Sequence, residues 1–210
     1  MPRSLPWLRR DANQERLRLI IGDIAGKGIA AALLMANLQA NLRSQCAIAV
    51  DKPEQLLQSV NRLFYENTAE NAYATLFYSE FDDKTTRLRY ANCGHLPGLV
   101  LHTDGSVERL ASTAPAVGLF GYWECPTAEH QLLPGDMFAI YTDGITESFN
   151  DQEEEFGEDR LIDALQRHRK LSPNDVISAI FDEVRLFSPH EQRDDFTLIV
   201  AKCRDCTCQH

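Results

Sequence analysis

Three acidic turns, far apart along the chain, each abut an apolar run of strand character, and they restrict the fold to one that carries carboxylates at strand ends. Gly22-Asp23-Ile24-Ala25-Gly26-Lys27-Gly28 follows Leu19-Ile20-Ile21; Thr142-Asp143-Gly144 follows Met137-Phe138-Ala139-Ile140-Tyr141; and Asp194-Asp195 precedes Phe196-Thr197-Leu198-Ile199-Val200. A carboxylate at the end of a buried strand is held by strand packing at the rim of a sheet, where water still reaches it. Three such groups, once convergent, suit hard divalent cations, which take oxygen ligands.

Each turn taken singly has a plainer reading. An Asp in a Gly-rich turn is an ordinary turn former, and so is Asp143 in Thr-Asp-Gly or a pair of acids ahead of a strand. The combination points to a cation site. The Gly22–Gly28 loop does not satisfy a phosphate-binding P-loop: three residues separate Gly22 from Gly26 where four are needed, and Gly28 follows Lys27 where Ser or Thr belongs. Asp23 is instead a candidate oxygen ligand, with the neighbouring Ile24 carbonyl as a second.

Composition narrows the partners. The 210 residues are 44% hydrophobic, enough for one sizeable core, so a single domain is expected. Lys plus Arg total 21 against 31 Asp plus Glu, a formal net charge of −10, which argues against nucleic acid as a partner. No apolar run approaches the ~20 residues of a membrane span. Six cysteines without a secretory leader read as thiols in a reducing, cytoplasmic setting rather than a disulfide framework. Cys203-x-x-Cys206-x-Cys208-x-His210 resembles a zinc knuckle but lacks an upstream ligand pair, so 203–210 reads as an unstructured tail.

Residues 1–16, with Pro2, Pro6 and several arginines, read as an irregular lead-in to a domain over 17–202. Ile29–Val50, rich in Ala, Leu and Met without Gly or Pro, predicts a helix that is apolar round much of its surface and therefore buried. Asp51-x-x-Glu54 with Pro53 marks a second helix carrying Leu56, Leu57, Val60, Leu63 and Phe64. Strands are predicted over Tyr73–Phe81, Arg87–Asn92, Gly98–His102 and Val107–Leu110, with Asp104-Gly105 a hairpin signal. Met137–Tyr141 and Phe196–Ala201 supply later strands. Ser172-Pro173-x-Asp175 opens a late helix with Val176, Ile177, Ile180, Val184 and Phe187 on one face. Helices at both ends of a run of hairpins predict an α+β sandwich.

The motifs, in order, resemble a known family. Gly22–Gly28, Ala91-Asn92-Cys93-Gly94-His95-Leu96-Pro97, Leu133-Pro134-Gly135-Asp136, Tyr141-Thr142-Asp143-Gly144-Ile145-Thr146-Glu147, Phe156-Gly157 and Asp194-Asp195-Phe196-Thr197-Leu198 are similar to the SpoIIE/RsbU-like branch of the PPM (PP2C-type) serine/threonine phosphatases, over roughly residues 17 to 202. The resemblance implies a four-layer αββα sandwich of two antiparallel sheets faced by helices, with a Mn²⁺ or Mg²⁺ pair. It implies hydrolysis of phosphoserine or phosphothreonine on a regulatory protein, typically a STAS-domain anti-anti-sigma factor. A metal-activated water would be the nucleophile, with no protein nucleophile.

By position, the resemblance makes Asp143, Asp23, the Ile24 carbonyl and Asp194 the metal ligands. Asp195 reads as a supporting group or a turn former, Gly144 as a supporting residue of the same turn, and Glu147 as the start of the next loop or a group that orients metal-bound water. His95 reads as structural rather than as a general acid, and the Asp151–Glu155 run as a solvated loop. One departure stands out: the family carries an upstream strand with a Gly-Gly-Asp ligand, and the only acids before Ile21 are Asp11 and Glu15. The expectation is a chain starting inside the domain, with an open edge beside Leu19-Ile20-Ile21 that favours a homodimer and with turnover in doubt. A non-catalytic, partner-binding relative is the alternative.

Overall fold

The structure is a computed structural model, and it describes residues 4–11, 16–48, 52–69, 72–189 and 195–204. The chain divides into two compact units. The first holds residues 1–97 and 111–131, the second 98–110 and 132–210.

The first unit is built on a five-stranded antiparallel sheet in the order β1-β2-β3-β4-β7. Its strands are β1 (Ser4–Asp11), β2 (Arg16–Ile24), β3 (Ala74–Asp82), β4 (Arg87–Cys93) and, after two strands of the second unit, β7 (Ala128–Gln131). Two helices, α1 (Ile29–Ile48) and α2 (Pro53–Glu66), complete it. Apolar residues an even number apart on β2 and β3, Ile20, Ile24, Leu76 and Tyr78, share one core with Ala31, Met35, Leu38, Leu42 and Cys46 of α1 and with Leu56, Leu57, Val60 and Phe64 of α2. Period two on the strands meets period 3.6 on the helices, as a helix-on-sheet core requires.

Three sequence expectations change here. Residues 4–11 are a strand, not an irregular lead-in: they pair with β2 from Ser4↔Asp23 to Asp11↔Arg16. Pro6 hid the strand, yet a proline is tolerated on an edge because its missing N–H costs no ladder bond. It follows that β2 is flanked on both sides, by β1 and β3, so the open edge expected beside Leu19-Ile20-Ile21 is absent. Helix α1 is buried on one face only. Ile29 and Leu33 are 72% and 67% exposed, because only its Ala31–Met35–Leu38–Leu42–Cys46 stripe meets the core.

A charged cluster lies inside this unit. Arg18, 1% exposed, bonds Glu80 Oε1 at 3.5 Å and the Cys46 carbonyl at 3.4 Å; Arg16 and Arg89 reach the same carboxylate at 3.3 Å each. Three guanidinium groups thus surround one buried glutamate.

The second unit carries a four-stranded antiparallel sheet, β6-β5-β8-β9, of β5 (Gly98–Leu101), β6 (Val107–Leu110), β8 (Met137–Tyr141) and β9 (Leu198–Lys202). Its helices are the single turn α3 (Asp143–Thr146), α4 (Gly157–Arg167) and α5 (Pro173–Phe187). The Asp104-Gly105 hairpin forms as read, with Gly105 at φ 91° and Asp104 Oδ1 accepting the Ser106 N–H at 2.8 Å. Ser172 caps α5 by accepting the Asp175 N–H, and Val176, Ile180 and Val184 are its buried stripe. β5 and β8 are buried throughout.

Candidate metal centre

In the first unit β2 runs through Gly22-Asp23 to Ile24, so Asp23 lies on the strand itself rather than in the turn that follows. It stands in register with Thr75 of β3 and Ser4 of β1. Its Oδ1 accepts the Ile24 N–H at 2.9 Å, which fixes the carboxylate rotamer, and the side chain is half-buried while Ile24 is buried. The chain leaves the strand through Gly26 and Gly28, at φ 106° and 86°, a region open to glycine at little cost. The Gly28 carbonyl then accepts the Ala32 N–H in the first turn of α1.

Beside Asp23, Thr75 Oγ1 shares a 2.9 Å hydrogen bond with His95 Nδ1. The His95 N–H donates to Asn92 Oδ1 at 2.8 Å, and the residue is buried. The His95 ring thereby braces β3 next to Asp23.

In the second unit the Thr142-Asp143-Gly144 turn follows β8, and the Asp195-Phe196-Thr197 segment leads into β9. The two are locked together. Thr142 N–H donates to the Thr197 carbonyl at 3.1 Å, its Oγ1 accepts the Thr197 N–H at 3.0 Å, and the same hydroxyl donates to the Asp195 carbonyl at 2.9 Å. Gly144 lies flat against that segment: a Cβ there would sit 2.6 Å from the Asp195 carbonyl oxygen, so a larger residue would push the two backbones apart. Asp143 opens α3, half-buried, and its carbonyl accepts the Glu147 N–H at 2.7 Å. The Glu147 side chain is exposed.

The structure therefore brings the Asp143 turn and Asp195 side by side, with Gly144 and Glu147 in the same turn. Asp23 and Ile24 belong to the other unit. Asp194 lies outside the described residues, as do Cys206, Cys208 and His210 of the tail. Sequence reasoning gave Thr142 no role, although the signal was present: a Thr immediately before Asp143 and another two residues after Asp195 are the two ends of this clamp.

Tyr141, just before the clamp, donates its hydroxyl to Glu158 Oε2 at 2.8 Å, and Arg109 Nε reaches Glu158 Oε1 at 2.7 Å. Burial, and then the Glu158 hydrogen bond, push the Tyr141 phenol far up. The acidic Asn150–Glu155 loop is exposed from Asp151 onward and organised by Asn150 Oδ1, which accepts the Gln152 and Glu154 N–H groups at 2.9 Å each.

Carboxylates and a backbone carbonyl, the donor types that Asp23, Ile24 and Asp143 supply, are the ones hard cations take. A family model for stage II sporulation protein E (SpoIIE) matches residues 13–204. The chain belongs to the SpoIIE family. Among SpoIIE-type relatives, the phosphoserine phosphatase RsbU of Bacillus subtilis (strain 168) is 28% identical over 192 residues, covering 90% of this chain and 56% of RsbU; the chain thus spans about half of that relative's length. The SiaA-PP2C domain of Pseudomonas aeruginosa matches with a TM-score of 0.83 at 21% identity, over 96% of this chain and 82% of that one. The RsbU and RsbW domains of a Mycobacterium tuberculosis protein match at 0.79 and 26% identity, over 95% and 55%. The SpoIIE-family fold is thus the PP2C-type α+β arrangement of two antiparallel sheets with helices. Among the described residues no helix is long and apolar enough to cross a membrane.

Proposed function

We propose that this chain is the catalytic domain of a metal-dependent protein serine/threonine phosphatase, removing phosphate from phosphoserine or phosphothreonine on a regulatory protein of the STAS-type anti-sigma factor antagonist class, in the cytoplasm. The observation that carries the reading is the Thr142 clamp, which ties the Asp143 turn to the Asp195 backbone in a chain matched by the SpoIIE family model. Asp23, the Ile24 carbonyl, Asp143 and Asp194 would hold Mn²⁺ or Mg²⁺. When bound, such a cation pair acidifies water and neutralises phosphoryl oxygens.

The chain's own residues hold the donors in place. The Ile24 N–H orients Asp23, the Thr142 hydroxyl fixes the backbone of Asp195 and with it the start of β9, and Gly144 lets the two backbones approach. His95, buried and engaged with Thr75, is a brace and not the acid that protonates the leaving group. Phosphate release from a phosphoserine STAS protein tests the proposal: it is expected to require Mn²⁺ or Mg²⁺ and to vanish with EDTA or with Asp143→Ala. Turnover that ignores EDTA and survives Asp143→Ala overturns it.

One observation favours a second reading, a partner-binding domain without turnover. β1 occupies the place beside β2, and the residue it sets in register with Asp23 is Ser4, not an acid. Tight binding of the phosphoprotein with no phosphate release at saturating Mn²⁺ would select that reading.

A further inference from the structure

Cysteines 93 and 125, which the sequence presents as unrelated singletons, meet inside the first unit. Their Sγ atoms are 3.5 Å apart, and both residues are buried, at 0% and 2% exposure. Cys93 ends β4, paired with Leu76 of β3 and bridged to Ala114. Cys125 lies in the irregular stretch just before β7.

We infer that Cys93 and Cys125 form an oxidisable dithiol that closes to an intramolecular disulfide under peroxide. The Sγ atoms must approach by about 1.5 Å to reach the ~2.05 Å of an S–S bond. Cys125 can supply that movement, because its segment lacks the ladder hydrogen bonds that hold Cys93 and opens at lower cost. The chemistry balances with hydrogen peroxide as oxidant. Cys125 Sγ attacks one peroxide oxygen, the O–O bond breaks, and sulfenic acid and one water result. Cys93 Sγ then attacks the Cys125 sulfur, the S–O bond breaks, and a second water leaves carrying the Cys93 proton. Two thiols lose two electrons and two protons, and the peroxide is reduced to two waters.

At rest the Cys93 thiol is held protonated, since its hydrogen bond to Cys125 and burial both push it well up. This keeps the pair reduced until the Cys125 segment opens. The link would pin the end of β4 directly before Gly94-His95, the histidine that braces Thr75 beside Asp23. It does not depend on the phosphatase reading.

The test is peptide mapping of the whole native chain after hydrogen peroxide and alkylation of the remaining thiols. The expected result is a Cys93–Cys125 cross-linked peptide that dithiothreitol reverses, that survives in Cys203→Ser, and that is absent from Cys93→Ser and Cys125→Ser. Should either buried variant fail to fold, the wild-type map alone decides. Recovery of Cys93 and Cys125 as alkylated thiols, or as irreversibly oxidised acids without the link, or linkage of either one chiefly to another cysteine, overturns the inference.

Discussion

Replacing Thr142 by Val keeps nearly the same shape and removes one hydroxyl, so it isolates the clamp from packing. Two hydrogen bonds are lost, to the Asp195 carbonyl at 2.9 Å and from the Thr197 N–H at 3.0 Å, at a residue only 2% exposed. Each net bond is worth about 0.5–1.5 kcal/mol, and burying groups without their partner adds to this, so the loss is about 2–3 kcal/mol. For a chain of this length 1 kcal/mol moves Tm by ~2–4 °C, so the midpoint should fall by roughly 4–12 °C. In the proposed site Asp194 directly precedes the clamped Asp195, and groups that orient metal ligands change affinity by about 10–100-fold when removed. Calorimetric titration with Mn²⁺ should show a weakening of that order, while Thr142→Ser, which keeps the hydroxyl, should retain most of both properties. A Val variant that melts with the wild type and binds Mn²⁺ equally well would show that the Thr142 hydroxyl neither holds the two segments together nor supports a cation site.

Four further outcomes are expected. Gly144→Ala drives a Cβ to 2.6 Å from the Asp195 oxygen; it should cost about 1–3 kcal/mol in urea unfolding and weaken Mn²⁺ binding, and an unchanged titration would count against the close approach. On the proposed metal reading, Asp143→Asn or Asp23→Asn should remove most Mn²⁺ binding yet leave the metal-free melting point nearly unchanged or raised, because carboxylates that share a cation repel one another without it; a loss of stability with intact affinity would mark them as turn formers. Glu80→Gln leaves the Arg18 guanidinium buried without its carboxylate, at a cost of about 3–5 kcal/mol, and the double change Arg18→Met/Glu80→Met should recover much of it by chemical denaturation. Burial raises the Tyr78 and Tyr141 phenols far above their ordinary value. Their contribution to stability is therefore complete below the unfolded value of ~10 and declines as pH rises beyond it. Alkaline unfolding followed by phenolate absorbance should show the change coinciding with loss of structure, and ionisation of both groups in a still-folded chain would refute the burial argument.

Legibility from sequence tracked how local the cause was. The hairpin at Asp104-Gly105, the Ser172 cap and the β3, β4, β5, β6 and β8 strands were readable because turn chemistry and period-two burial are written in a few neighbouring residues. Strand β7 and helix α4 were not. The Ala128–Gln131 run is polar and alternates between exposed and half-buried, and it is a strand only because β4 offers it an edge. Helix α4 starts at Gly157, after a Phe156 that offers no side-chain cap, directly behind the acidic run, so its Leu161, Ile162, Ala164 and Leu165 stripe had no start signal to announce it.

From sequence alone, the three acidic turns beside apolar runs offered Asp23, Asp143 and Asp194 as candidate cation ligands, the run of hairpins between helices offered the α+β class, and the resemblance of the whole ordered motif set supplied the family. Only tertiary structure decided that residues 4–11 are a strand, since Pro6 and the arginines become compatible with one only at an edge against β2. Only tertiary structure, too, brought Thr142 onto Asp195 and Thr197, 53 and 55 residues away, and Cys93 onto Cys125, 32 residues away. Contacts of that separation are set by which strands pair and how the loops between them close, and no local propensity encodes them.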